Sequence, residues 1–204
     1  NSAASHMRPQ LLDEGYLAQA DVIHLTGITP VLGDSCRETV QAAMDLAVKH
    51  EKLISFDPNI RRELFADKSV NEVIEEVMDN ISIFLPGMEE LLMLTGKDTA
   101  EEAVREVFKR PRMEILVLKN GSKGSTVYTR TDVIHMGVYP VKQADATGAG
   151  DCFDGGFLAG LVKGRSIEEA ARMGAAAGAL NAAAFGPMEG DISVKTVTDM
   201  IAAG

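Results

Sequence analysis

Asp145-Ala-Thr-Gly-Ala-Gly-Asp151, running on as Cys152-Phe-Asp-Gly-Gly-Phe157, is the stretch that decides how this chain folds and what it can bind. A helix is expected to follow it over residues 153–162. Small residues at 148–150 let backbone N–H groups approach an anion, and the start of a helix adds a partial positive charge there. Asp151 at the same place conflicts with simple electrostatics, because a carboxylate competes with a bound phosphate. The conflict disappears if Asp151 faces a substrate hydroxyl and takes its proton while the neighbouring amides stabilise a transferring phosphoryl group. The plain alternative is an N-cap Asp after a glycine turn.

Working outward, strands are expected over residues 21–27, 53–57, 81–85 and 114–119, and again over 126–129 and 133–139, the last two as a possible hairpin. Helices are expected over 35–50 with Ser35 as N-cap, 69–80, 88–94 closed by Gly96, and 99–109 capped by Thr99. Downstream of the signature, 153–162, 166–184 and 193–202 read as three helices. Alternating strands and helices with short connections imply an α/β fold whose mainly parallel sheet is covered on both faces. No linker marks a second domain. Ligands of such sheets bind beyond the carboxyl ends of the strands. Asp57-Pro-Asn, Leu85-Pro-Gly and Lys119-Asn-Gly all follow predicted strands, so three polar loops are expected to converge on one edge.

Composition narrows the function classes. The 204 residues are 46% apolar with no Trp, so the core must rest on Leu, Val, Ile, Ala and Met. No apolar run approaches the roughly 20 residues of a membrane-spanning helix. A formal net charge of −10 argues against nucleic acid or an anionic membrane as the main partner, but leaves room for an anionic small molecule. Cys36 and Cys152 are expected to be reduced thiols in a cytoplasmic protein. No signal-peptide pattern is present, and residues 1–7, Asn-Ser-Ala-Ala-Ser-His-Met, read as a cloning remnant ahead of a single domain over 8–204. His24 and His50 have no partner spacing that suggests a metal site.

The string from Asp145 to Phe157 resembles the C-terminal signature of the ribokinase-like sugar kinases, the PfkB family, and the order of elements agrees over residues 21–202. The resemblance implies a ribokinase-like three-layer sandwich, with ATP and Mg²⁺ as cofactors. It implies Asp151 as catalytic base and the amides of Gly148, Ala149 and Gly150 as the anion hole. Lys119-Asn-Gly-Ser-Lys-Gly124 looks like the family's nucleotide loop, which would place Lys119, Gly121, Ser122 and Gly124 against ATP. Asn-Gly is equally a hairpin signal, and both readings can hold together. Leu85-Pro-Gly-Met-Glu-Glu90 stands where the family has Asn-x-x-Glu. Glu90 matches the acid and is the metal-linked candidate, whereas the Asn is replaced by Gly87. Glu89 and Glu90 as ordinary first-turn acids remain the alternative.

Asp57-Pro-Asn-Ile-Arg-Arg62, together with Leu25-Thr-Gly-Ile28, is similar to 2-keto-3-deoxygluconate kinases within the family. An Arg at a strand's carboxyl end can grip a sugar-acid carboxylate through two parallel hydrogen bonds. That role falls to Arg61, with Asn59 near the phosphates or the substrate; solvated arginines at a helix start are the alternative. The helix ending near Phe185 and the following Gly186-Pro resemble the adenine-side segment, with Asn181 expected to line it. Asp145 and Thr147 are candidates for a monovalent cation such as K⁺.

The family's Gly-Gly substrate motif, N-terminal strands and β lid are not recognisable in residues 1–20. The chain therefore reads as the C-terminal portion of such a kinase, expected to expose strand edges, to self-associate as a homo-oligomer, and to lack turnover by itself. The leading expectation is phosphorylation of a sugar acid by ATP. Kinases of a neutral ketose, of ribose or of a sugar phosphate come second, and a non-catalytic nucleotide-binding descendant is the alternative from another class.

Overall fold

The computed structural model describes residues 3–60, 74, 75 and 77–204. They form two compact units: Asn1–Leu118 with Tyr128–Thr131, and Lys119–Val127 with Asp132–Gly204. Within the first unit the strands lie side by side in chain order.

The first unit carries β1 (Val22–Thr26), β2 (Leu53–Asp57), β3 (Ile83–Phe84) and most of β4 (Ile115–Lys119), all parallel, with Thr26 opposite Asp57 and Ile83 opposite Ile115. Ile54, Ser55, Phe56 and Asp57 are buried in succession, as expected where a parallel strand is covered on both faces. Phe56 stacks on Phe84 at 6.2 Å between centroids, in a core shared with Met44, Leu91 and Leu116. The ladder of β3 is only two residues long against the expected 81–85. Its flanks are nevertheless tied in, because Ser82 N–H donates to Ile54 and Leu85 N–H to Phe56.

Among the described residues, a one-turn helix α1 (Glu14–Leu17) is followed in this unit by the longer helices α2 (Asp34–Lys49), α3 (Met88–Thr95) and α4 (Ala100–Val107). Thr99 caps α4 by accepting from Glu102 N–H at 3.3 Å, and Gly96 ends α3 in the left-handed region. Ser35 does not cap α2. The helix starts at Asp34 with Gly33 as N-cap, so Ser35 lies in the first turn, where its carbonyl accepts the Thr39 hydroxyl at 2.6 Å. Most of the helix expected over 69–80 lies outside the described residues; 74, 75, 77 and 78 are helical, and Ile74, Val77 and Met78 are buried at helical spacing.

The second unit contains most of β5 (Ser125–Thr129), then β6 (Val133–Met136), α5 (Ala149–Val162), α6 (Ile167–Ala182) and α7 (Val194–Ala203). Helices α5 and α6 meet along Gly156, Gly160, Ala170, Gly174 and Ala177, small residues that let two backbones come close. Ser166 and Ser193 cap α6 and α7 through the N–H groups of Glu169 and Thr196. Helix α5 starts four residues before the expected 153, inside the signature itself, because Gly148 reverses the chain in the left-handed region and the helix begins at once. Among the described residues, no helix is long and apolar enough to cross a membrane.

Candidate active site

With Gly148 as N-cap, Ala149, Gly150 and Asp151 form the first turn of α5. Asp151 is therefore an exposed residue three places into the helix and not its cap. The first turn of a helix has N–H groups without partners inside the helix. Of the amides expected to form an anion hole, that of Ala149 donates to the Ala146 carbonyl at 3.1 Å, while Gly150 and Asp151 follow it in the same turn. Burial pushes the neighbouring Cys152 thiol up, and the Asp151 charge adds to the effect.

The turn before α5 is held from behind. Gly148 has φ +76°, and a Cβ there would lie 1.9 Å from the Pro187 carbonyl oxygen. Asn181 is fully buried; its Nδ2 donates to the Thr147 carbonyl at 2.8 Å and its Oδ1 accepts from Gly190 N–H at 3.4 Å. It clamps the signature to the 187–190 loop, and the expectation that it lines a pocket is corrected: Gly178, Ala179 and Ala182 of the same helix form that wall. Asp145 Oδ1 accepts from Thr147 N–H at 2.9 Å and from its hydroxyl at 2.7 Å. The Thr147 amide, then its hydroxyl, and the Gly186 amide hold the Asp145 carboxyl below its ordinary value.

That wall belongs to a cavity of about 330 Å³ within the second unit, in the size range of small-molecule sites. Lys119, Gly121, Ser122, Gly124, Ala149 and Gly150, all expected from the sequence, line it. Val138, Tyr139 and Pro140 add apolar surface opposite to polar Lys119 and Ser122 in character. The loop after β4 is closed by Asn120 N–H donating to the Gly124 carbonyl at 2.9 Å. Gly124 is required by the protein itself, since at φ +89° its Cβ would meet the Met136 carbonyl at 2.1 Å. Sequence reasoning missed two residues here. Asp154, only 2% exposed, accepts the Lys119 ammonium on both oxygens, at 3.1 and 2.9 Å. Ser125 lines the cavity and its Oγ is buried without a hydrogen-bond partner among the described residues. Asp154 stood inside the signature, but nothing local pointed to a partner 35 residues away.

In the first unit, the loops after β2 and β3 are joined by one carboxylate. Glu90 Oε1 accepts from Ile60 N–H at 2.8 Å and Oε2 from Gly87 N–H at 2.7 Å. Gly27 N–H, just past β1, donates to the Asp57 carbonyl at 2.9 Å. Asn59 has φ +38°, unusual for a residue other than glycine, and its N–H donates to Asp57 Oδ1 at 3.1 Å. Asn is among the residues that adopt this left-handed region most readily, its side chain bonding locally. Arg61 lies outside the described residues. Among the described residues, no group of three or more His, Cys, Asp or Glu side chains could hold a metal ion. A second cavity, of about 260 Å³ beside Thr95, Lys97 and Arg110, is lined by none of the residues expected to carry chemistry.

Comparison with known proteins agrees with this geometry. The pattern of the pfkB family carbohydrate kinases matches residues 1–193. The chain is 31% identical over 192 residues to the 2-dehydro-3-deoxygluconokinase of Bacillus subtilis (strain 168), covering 93% of this chain and 59% of that one. It is 30% identical over 174 residues to a protein of Arabidopsis thaliana named probable fructokinase-4, covering 84% and 53%. An E. coli protein described as a ribokinase II, solved in complex with ATP and Mg²⁺, superposes with a TM-score of 0.93 at 28% identity, over 100% of this chain and 66% of that one. The chain thus spans somewhat more than half the length of the curated relatives it matches. A signature that starts a helix beside a glycine-rich loop, in a parallel α/β sheet and with a match along nearly the whole sequence, has one explanation: the chain belongs to the pfkB family of carbohydrate kinases.

Proposed function

We propose that this protein is an ATP-dependent kinase of a sugar acid, transferring the γ-phosphoryl group to the primary hydroxyl of 2-keto-3-deoxygluconate to give its 6-phosphate. One observation carries the reading: the exposed Asp151 stands in the first turn of α5, whose Ala149 and Gly150 line a cavity of small-molecule size together with the loop after β4. Asp151 would take the hydroxyl proton as the oxygen–phosphorus bond forms, with ADP leaving. The first-turn amides that follow Ala149, whose own N–H is taken by Ala146, would hold the negative charge of the transferring group, since phosphoryl transfer depends almost wholly on positioning and electrostatics.

The residues fit a hydrated Mg²⁺ better than a bare one. This ion keeps several waters and binds through one or two carboxylates and the substrate's phosphates, so a three-ligand protein cluster is not required. Glu90, fixed by two backbone amides, keeps its proposed metal-linked role. When bound, the ion neutralises charge on the phosphates. Asp145 and Thr147 keep their proposed role toward a monovalent cation, and the free thiols of Cys36 and Cys152 agree with a reducing cytoplasm.

The sugar acid is favoured over a neutral ketose by Asp57-Pro-Asn-Ile-Arg61 and by the name of the Bacillus relative. The fructokinase resemblance sets the competing arm of the test. ADP release by the full-length protein should be followed with ATP, Mg²⁺ and, in turn, 2-keto-3-deoxygluconate, fructose and ribose. The sugar acid is expected to give the highest kcat/KM by about tenfold or more. A higher value for fructose or ribose overturns the substrate, and ADP binding with no turnover on any sugar favours the non-catalytic reading.

A further inference from the structure

The Lys119–Asp154 pair calls for a physical explanation. The side chain of Asp154 is 3% exposed and that of Lys119 17%. An ion pair removed from water to this degree contributes little net stability, because desolvation offsets the attraction, and an apolar pair of similar volume often serves the fold as well. Lysine also surrenders the freedom of a long side chain to make it. The fold alone therefore does not account for the two charges.

Their position does. Lys119 is the last residue of β4, at the strand end where α/β sheets meet their ligands, and it lines the cavity. Its Nζ lies 3.9 Å from where a Cβ on Gly150 would sit, against the first turn of α5. Two positive features, an ammonium and a helix N-terminus, thus share one corner. In the absence of ligand they would repel each other, and the lysine would swing out toward water. Asp154 prevents this: three residues beyond Asp151 on the same helix, it is buried where Asp151 is exposed, and both of its oxygens hold the ammonium.

We infer that Asp154 is a positioning residue: it pins the Lys119 ammonium beside the first turn of α5, so that a nucleotide in this cavity is recognised by its phosphates. The inference rests on the nucleotide-site reading above and adds to it the residue that sets phosphate recognition. A phosphate chain arriving at the corner meets a charge already in place, and its binding does not have to pay for ordering the lysine. Charge-assisted hydrogen bonds to phosphate are among the stronger polar contacts. Adenosine, having no phosphate, gains nothing from the pair.

The test is calorimetric titration of the chain with adenosine and with ADP. The wild type is expected to bind ADP more tightly than adenosine. Lys119→Met should weaken ADP binding by about tenfold or more, equivalent to about 1.4 kcal/mol, and leave adenosine unchanged. Asp154→Asn should weaken ADP binding in the same direction by a smaller factor. The double variant Lys119→Met/Asp154→Leu removes both charges and guards against misfolding of the single variants. It should melt close to the wild type, bind adenosine normally and bind ADP as poorly as Lys119→Met. Wild-type ADP affinity in the double variant would make the pair purely structural and overturn the inference. Unchanged or tighter ADP binding by Asp154→Asn would remove the positioning role. A wild type that binds neither ligand takes the nucleotide-site reading down with it, whereas normal wild-type binding with indifferent variants defeats the pair alone.

Discussion

Two glycine-to-alanine changes on one helix, Gly148→Ala and Gly155→Ala, should move stability in opposite directions. At position 148 the backbone has φ +76°, where an L side chain costs about 1–2 kcal/mol. The added Cβ would also sit 1.9 Å from the Pro187 oxygen, against at least 3.4 Å for ordinary contact, so the 187–190 loop must retreat by about 1.5 Å. Overpacking of this sort costs about 1–3 kcal/mol more. The total of about 2–5 kcal/mol corresponds to a fall in Tm of roughly 4–20 °C for a chain of this length. At position 155, exposed in the interior of α5, an added Cβ meets nothing within 4 Å. There the gain in helix propensity of about 0.5–1 kcal/mol should raise Tm by about 1–4 °C. Thermal melts with and without ADP test both. Because Gly148 sets where α5 begins, Gly148→Ala should also weaken ADP binding by about tenfold, equivalent to about 1.4 kcal/mol. A Gly148→Ala chain that melts within about 2 °C of the wild type and binds ADP normally would refute the claim that this turn is clamped from behind.

In the full-length protein, Asp151→Asn keeps the shape of the helix start but removes the base, so kcat should fall by about 10²-fold or more with ADP affinity unchanged; near-normal turnover would exclude Asp151 as the base. Arg61→Ala should raise KM for a sugar acid by about 10- to 150-fold and leave a neutral sugar unaffected, and an equal effect on both would rule out the carboxylate grip. Ser125→Ala deletes a buried hydroxyl that has no partner among the described residues, so denaturant melts should show stability unchanged or slightly increased, whereas a loss above about 1 kcal/mol would mean that the hydroxyl is bonded, for instance to ordered water. Asp145 has its pKa depressed by folding, so its contribution is present above the unfolded value near 3.8 and is lost as pH falls through the folded value. The Tm difference between wild type and Asp145→Asn should accordingly be present at pH 7 and shrink below about pH 3.8; a pH-independent difference would show that the Thr147 and Gly186 contacts do not act through the charge.

The amino-acid sequence by itself determined the parallel α/β framework, because the signals for it are local. The short, mainly apolar run Leu53-Ile-Ser-Phe, interrupted only by Ser55, is how a strand buried on both faces reads, and Thr99, Ser166 and Ser193 cap helices through side chains that reach only to the third residue on. The signature and the glycine loop after β4 were legible for the same reason, being short contiguous strings. Tertiary structure alone decided which residue each of these strings would face. Gly124 reads as room left for a ligand; it lines the cavity, and the side on which its Cβ would stand is filled by the Met136 carbonyl. Asn181 sits on the helix that walls the cavity, but its amide bonds to Thr147 and Gly190 behind the turn. Glu90 reads as a first-turn acid, and its second oxygen ties down Ile60, 30 residues earlier. Asp154 lies one turn beyond Asp151 with the same carboxylate, and burial against Lys119 separates their roles. Backbone preference acts over a few residues and is written in the order of the chain, whereas a buried polar atom must find its partner wherever packing brings one within about 3 Å, at any distance along the sequence.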